Sequence, residues 1–287
     1  MRLPLDGILI SSLALALCAG LTSAHAQEIS AKEHAWGRFQ PGAWKVVAVV
    51  TETLDENGLV ASTSVTETTT TLKEISEDGV TLEVKVAVEV AGKLFEAEPQ
   101  MVKQGFHGGL LTSGLNVTPL EDSEIVVEDR TIPCKVLQLG FSGPTSKTTT
   151  TVYYSAATAP YVLRRDCVTT DAEGENTLSE SSINVVTLDM PCKVLAEIKP
   201  AALVKSTHKH AKGIITTWAY TSTDVPGGVI SHSSKEVDPN GRVVRRSTLR
   251  LVGYDLEPDT ERVGLLGRKG VFRTRKTTDN TPRLFPR

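Results

Sequence analysis

The residues in this sequence best placed to do chemistry are aromatic, and the chemistry they offer is binding. Trp218 and Tyr220 stand two apart, so on a strand both point to one side and form a patch that could line a ligand cavity or pack into the core. Phe106 lies in Gly105-Phe106-His107-Gly108-Gly109, a glycine-rich stretch with Gly114 beyond it that reads as a flexible loop. That stretch lacks the spacing of a phosphate cradle. Phe106, Trp218 and Tyr220 are therefore the candidate ligand-binding residues. His208 and His210 share the same two-residue spacing and could hold a metal between them. They fall in the lysine-rich stretch Lys205–Lys212 with no acid or cysteine nearby in sequence, which predicts a solvated loop tip and no metal site. His107 and His232 are isolated and read as ordinary polar contacts.

The usual catalytic constellations are missing. No G-x-S-x-G elbow, H-E-x-x-H pair, Walker loop or kinase set occurs. The carboxylates Glu83, Glu89, Glu96, Glu98, Asp122 and Glu124 fit the wet faces of strands, and no two stand out as acid and base. Beyond Cys18 the cysteines are Cys134, Cys167 and Cys192, an odd number that allows at most one bridge. With no C-x-x-C they predict structural roles rather than redox or zinc chemistry. The expectation is a protein that is not an enzyme and needs no cofactor.

The elements that must position these residues are strands. Leu82, Val84, Val86, Val88 and Val90 alternate with Thr81, Glu83, Lys85, Ala87 and Glu89, which is the period of a half-buried antiparallel strand. Segments 44–53 and 59–72 read as two more strands around Asp55-Glu56-Asn57-Gly58, a turn in which Asp caps an amide and Gly takes the left-handed position. The runs Thr68–Thr71 and Thr148–Thr151 are β-branched and suit a partly solvated sheet surface. Only Glu98–Gln104 could form a helix, and a short one.

An internal repeat organises the second half. Pro133-Cys134-Lys135-Val136-Leu137 recurs as Pro191-Cys192-Lys193-Val194-Leu195. Tyr154 is then echoed by Tyr220, Pro160 by Pro226, and Asp171-Ala172-Glu173-Gly174 by Asp238-Pro239-Asn240-Gly241. The growing offset implies extra residues around Lys205–Lys212 in the second copy. The predicted fold is all-β, an antiparallel meander of repeated four-stranded units forming a curved half-barrel or sandwich. Pro133 and Pro191 open its corresponding strands, and Tyr154 and Tyr220 face the same way. The organisation read from this is a signal peptide over 1–26, an N-terminal β region over 27–130, a repeat region over 131–257 (131–188 and 189–257), and a basic tail over 258–287.

The two ends set location and partners. Arg2 precedes an apolar run from Ile8 to Leu21, shorter than the about 20 residues that span a bilayer. Ala24-His25-Ala26 then supplies a small-x-small signal, predicting cleavage between Ala26 and Gln27, with a short uncleaved anchor as the alternative. Leu17 is too bulky for a lipid-attachment signal at Cys18. The chain is expected to be exported to the periplasm or beyond, without spanning the membrane once processed. Its tail carries eight basic residues against three acids within a chain of net charge −3. That tail could touch envelope components or be a solvated end, while the overall charge argues against nucleic acid.

The stretch Ala35-Trp36-Gly37-Arg38-Phe39, Pro41-Gly42-Ala43-Trp44 and Thr51-Glu52-Thr53-Leu54-Asp55, with Val90-Ala91-Gly92-Lys93, resembles uncharacterised exported bacterial β proteins. The Pro-Cys-Lys-Val strand followed by a Thr-rich Tyr strand and a Pro-turn strand is similar in pattern to periplasmic proteins of the lipoprotein-carrier type. That resemblance implies a curved sheet around an apolar cavity. Two functions follow as expectations: a binding module for an apolar ligand, lipid or lipid-modified chain, or an envelope structural or interaction protein without a small-molecule ligand.

Overall fold

A computed structural model describes residues 29–109 and 114–257. The signal segment with Ala26 and Gln27, and the basic tail, lie outside the described residues. Among the described residues fourteen strands follow one another: β1 (Trp44–Leu54), β2 (Val60–Ile75), β3 (Gly79–Val90), β4 (Lys93–Glu96), β5 (Gln100–Gly105), β6 (Leu115–Val127) and β7 (Arg130–Ser142). Then come β8 (Ser146–Tyr154), β9 (Val162–Asp171), β10 (Thr177–Val194), β11 (Glu197–His210), β12 (Gly213–Thr221), β13 (Val229–Val237) and β14 (Val243–Asp255). The one helical element among the described residues is the 3₁₀ turn Ala31–Glu33. Segment 98–104 is not a helix: Gln100–Gly105 pairs with β3, from Val84↔Gln100 to Gly79↔Gly105. The open edge of β3 satisfies its backbone groups better than an isolated helical turn could.

All strand pairs are antiparallel and belong to one sheet, in the order β4-β3-β2-β1-β14-β13 and so on down to β6. The N-terminal strands thus join the C-terminal one through β1 and β14. The sheet bends on itself, because Leu72, Val80 and Leu82 from one end share a core with Leu137, Leu139, Val152 and Tyr154 from the other. Ile29, Trp36 and Phe106 fill the space between the two ends. The predicted apolar row of β3 lies on this inner face. At the far edge, Pro119 and the irregular pairing after Leu120, at Glu121-Asp122, interrupt β6, which discourages another strand from adding there.

Three strands recur at a constant spacing, which is not the spacing of the pentapeptide match. Strands β7–β9 start at Arg130, Ser146 and Val162, and β11–β13 start 67 residues later at Glu197, Gly213 and Val229. The counterpart of Pro133, fourth residue of β7, is therefore Pro200, fourth residue of β11. Pro191 instead sits near the end of β10 and pairs with Pro200. Both halves of the pentapeptide match stand where the strand has only one neighbour: Pro133 precedes the β8 pairing, and Pro191 follows the β9 pairing. A missing donor is tolerated there, so the same short pattern arose at two unrelated places.

The constant spacing also removes the supposed insertion. Residues 205–210 are strand, and Ala211-Lys212 form a tight turn. Tyr220 corresponds to Tyr153; Tyr154 points into the core, on the opposite side. The turns ending β1, β9 and β13 are one device used three times. Gly58, Gly174 and Gly241 have φ of 78°, 88° and 84°. Each donates its amide to the carbonyl of Asp55, Asp171 or Asp238, and each aspartate's carboxylate accepts further amides of its own turn.

Candidate functional site

Strand register carries Trp218 and Tyr220 to the outer face of the second repeat unit. Trp218 lies opposite Lys205 on β11 and Ser233 on β13, and Tyr220 opposite Leu203 and Ser231. Thr248 on β14 continues the row of Ser233. Leu203, Trp218, Tyr220, Ser231, Ser233, Thr248 and neighbouring backbone enclose an open groove of about 570 Å³. Trp218 is 41% exposed, and the Lys205 ammonium stands 5.4 Å over its ring.

The repeat shows why a groove exists here and not in the first unit. There the positions of Tyr220, Ser231 and Ser233 are taken by Tyr153, Arg164 and Asp166. The Arg164 guanidinium covers the Tyr153 ring at 5.3 Å and is held by Asp166 at 2.7 Å. Thr151 occupies the place of Trp218. Two serines for an arginine–aspartate pair leave the Tyr220 ring without such a cover, and tryptophan for threonine adds a second ring, over which Lys205 stands.

Phe106 is not part of this groove. It is 8% exposed and belongs to the core between the sheet ends, edge-on to His34 at 5.7 Å. The loop after it is stitched by Gly105 donating to the Gly109 carbonyl and Gly108 to that of Gly105, each at 2.8 Å.

The histidine pair also falls elsewhere than its sequence neighbourhood predicts. His208 and His210 lie within β11, their rings stacked at 5.3 Å, on the inner face that carries Leu139. A row of paired residues runs from His208 through Ile215 and Glu236 to Arg245 and Thr53. His210 Nε2 stands 3.8 Å from Glu236, whose other oxygen is gripped by Arg245. The acid that sequence proximity does not supply comes from two strands away. The Lys212 amide donates to His210 Nδ1 at 3.2 Å, so Nε2 carries the proton and faces Glu236 as a donor, not as a ligand. Among the described residues no group of three or more metal-binding side chains converges.

The next inner row, Thr217, Ser234, Ser247 and Thr51, lines a small pocket of about 50 Å³ together with His232, Glu236 and Arg245. Alternation turns His232 to this face, away from Ser231 and Ser233, so those hydroxyls have no imidazole beside them on the outside. Burial holds His232 below the usual histidine range. Glu236 is only 12% exposed at its side chain, and its loss would leave Arg245 without its carboxylate. Glu236→Gln is expected to cost about 1–2 kcal/mol in urea unfolding. In a double-mutant cycle with Arg245→Gln, purely additive losses would refute this coupling.

Further along the inner face the N-terminal segment buries basic groups. Burial, with Arg165 and His107 nearby, lowers His34 to a pKa of about 4. His34 Nδ1 accepts the amides of Trp36 and Gly37. Burial alone lowers Lys45 to about 8. Cys134 and Cys192 are thiols pushed up by burial, and Cys167 lies between Thr150 and Ser181.

No protein-family model and no curated protein matches the chain. Two solved structures are similar over 75% of this chain and 97% of their own. One is a putative lipoprotein from Parabacteroides distasonis, at 12% identity and a TM-score of 0.32. The other is a putative exported protein with a YmcC-like fold from Bacteroides fragilis, at 11% identity and a TM-score of 0.30. Neither supports the likeness to lipoprotein carriers in particular, and both are too distant to transfer a function.

Proposed function

We propose that this chain is an exported, non-catalytic binding module that holds an apolar ligand or a lipid-modified chain in the Trp218–Tyr220 groove. Export rests on the sequence alone, through Arg2, the apolar run and Ala24-His25-Ala26. The observation that carries the binding reading is the groove itself, about 570 Å³ over an aromatic and leucine floor. Its size lies within the range of small-molecule sites. The first repeat unit fills the same place with its own side chains, so an open floor is not a demand of the fold. The competing reading, an envelope component that associates through its sheet edges, is weakened by the interrupted β6 edge.

Native mass spectrometry of protein purified from its own host tests the proposal. The expected result is a bound mass that disappears in Ser231→Arg/Ser233→Asp, which rebuilds the covering pair of the first unit, while the unfolding temperature stays within a few degrees. Bare protein throughout, or a bound mass indifferent to the double substitution, would overturn it.

A further inference from the structure

The rim of the groove is basic. Lys235 lies two residues beyond Ser233 on the same side of β13, Arg250 is the β14 partner of Ser231, and Lys205 faces Trp218. Strand spacings of about 4.8 Å and a two-residue repeat of about 7 Å place all three within about 10 Å of Ser233. All are exposed, and none forms an ion pair among the described residues. Arg246, next in the row of Lys235, is instead taken by Glu52. Three cations without an ion pair, one of them (Lys205) standing over the Trp218 ring, thus surround an apolar floor, in a chain whose formal net charge is −3. Like charges gathered together repel one another, and an anion between them removes that cost. Lysine and arginine both donate hydrogen bonds to carboxylate or phosphate oxygens.

Resting on the reading of the groove as a ligand site, we infer that its occupant is a single-chain amphiphile with an anionic oxygen headgroup. The apolar chain lies over Trp218, Tyr220 and Leu203, and the headgroup is held among Lys205, Lys235 and Arg250. Ser231, Ser233 and Thr248 hydroxyls sit between floor and rim, where a headgroup oxygen needs further donors. Free amphiphile is the occupant rather than a membrane surface, because Trp218 and Tyr220 line a groove together with Ser231, Ser233 and Thr248.

The test is titration of the full chain with decanoate, decyl phosphate and decanol below their aggregation limits, followed by tryptophan fluorescence. Trp36 and Trp44 are buried, so Trp218 dominates the response, and Trp218→Leu serves as the blank. The expected result is that both anionic probes bind at least tenfold tighter than decanol. That advantage should vanish in Lys235→Gln/Arg250→Gln and shrink in high salt. Equal binding of all three probes would leave the groove as an apolar site and overturn the headgroup assignment. Binding by no probe would overturn both. Binding to phosphatidylglycerol vesicles without decanoate binding would identify a membrane-facing surface instead.

Discussion

Replacing Gly227 with alanine is expected to destabilise the protein by about 3–5 kcal/mol. Gly227 has φ of 69°, which for an L-residue with a side chain costs about 1–2 kcal/mol. The added Cβ would also lie 2.6 Å from Trp36 Nε1 and 2.7 Å from Lys45 Nζ. Lys45 could swing aside, but the indole is locked in the core at 5% exposure. Its displacement would break the donation from the Gly227 amide to the Ala35 carbonyl, at 2.9 Å, which ties the N-terminal segment to the β12–β13 loop. Gly58→Ala supplies the control: its φ is 78°, yet nothing lies within 4 Å of the new atom. Urea unfolding should show Gly58→Ala losing about 1–2 kcal/mol and Gly227→Ala clearly more. Equal losses would mean that the loop gives way and that Trp36 is not held as described.

That contact lies beyond what the sequence could disclose, and the reason is general. Alternation in β3, the Asp-x-x-Gly turns and the strands on either side of Asp55 were legible because each is written in neighbouring residues. A recurrence in the second half was legible, but not the spacing at which the strands recur. An identical pentapeptide outweighed a fainter likeness at constant spacing, and only pairing partners show that Pro133 answers to Pro200. Segment 98–104 left a short helix open because its partner, the edge of β3, is a tertiary feature. For the site, Trp218 and Tyr220 shared a face as their spacing requires. What makes that face a groove is the pair of serines on β13, small residues with no sequence signal of their own. Phe106 and the histidine pair were judged by neighbours in sequence, whereas Ile29 and Glu236, from distant segments, set their surroundings.

Lys45→Met is expected to stabilise the protein at pH 7 by about 2–3 kcal/mol, although it deletes a contact. Lys45 is 9% exposed, and its ammonium lies 5.5 Å over Trp36 with no ion pair among the described residues. The ring offsets part of the charge's desolvation, but the folded pKa of about 8 against an ordinary 10.5 shows that burial wins. Because the folded pKa is depressed, the unfolded chain binds more protons between these values. The penalty is therefore full below about pH 8, falls as pH rises through that window, and is gone above 10.5. Methionine keeps the length and volume of the stem, so packing changes little. Urea unfolding at pH 7, 9 and 10.5 should give a variant-minus-native difference that starts near its full value and declines towards zero. All other groups titrate alike in both proteins, so this difference isolates Lys45. A loss of stability at pH 7, or a gain that does not change with pH, would show that the ammonium is not the buried, unpaired charge that the geometry makes it.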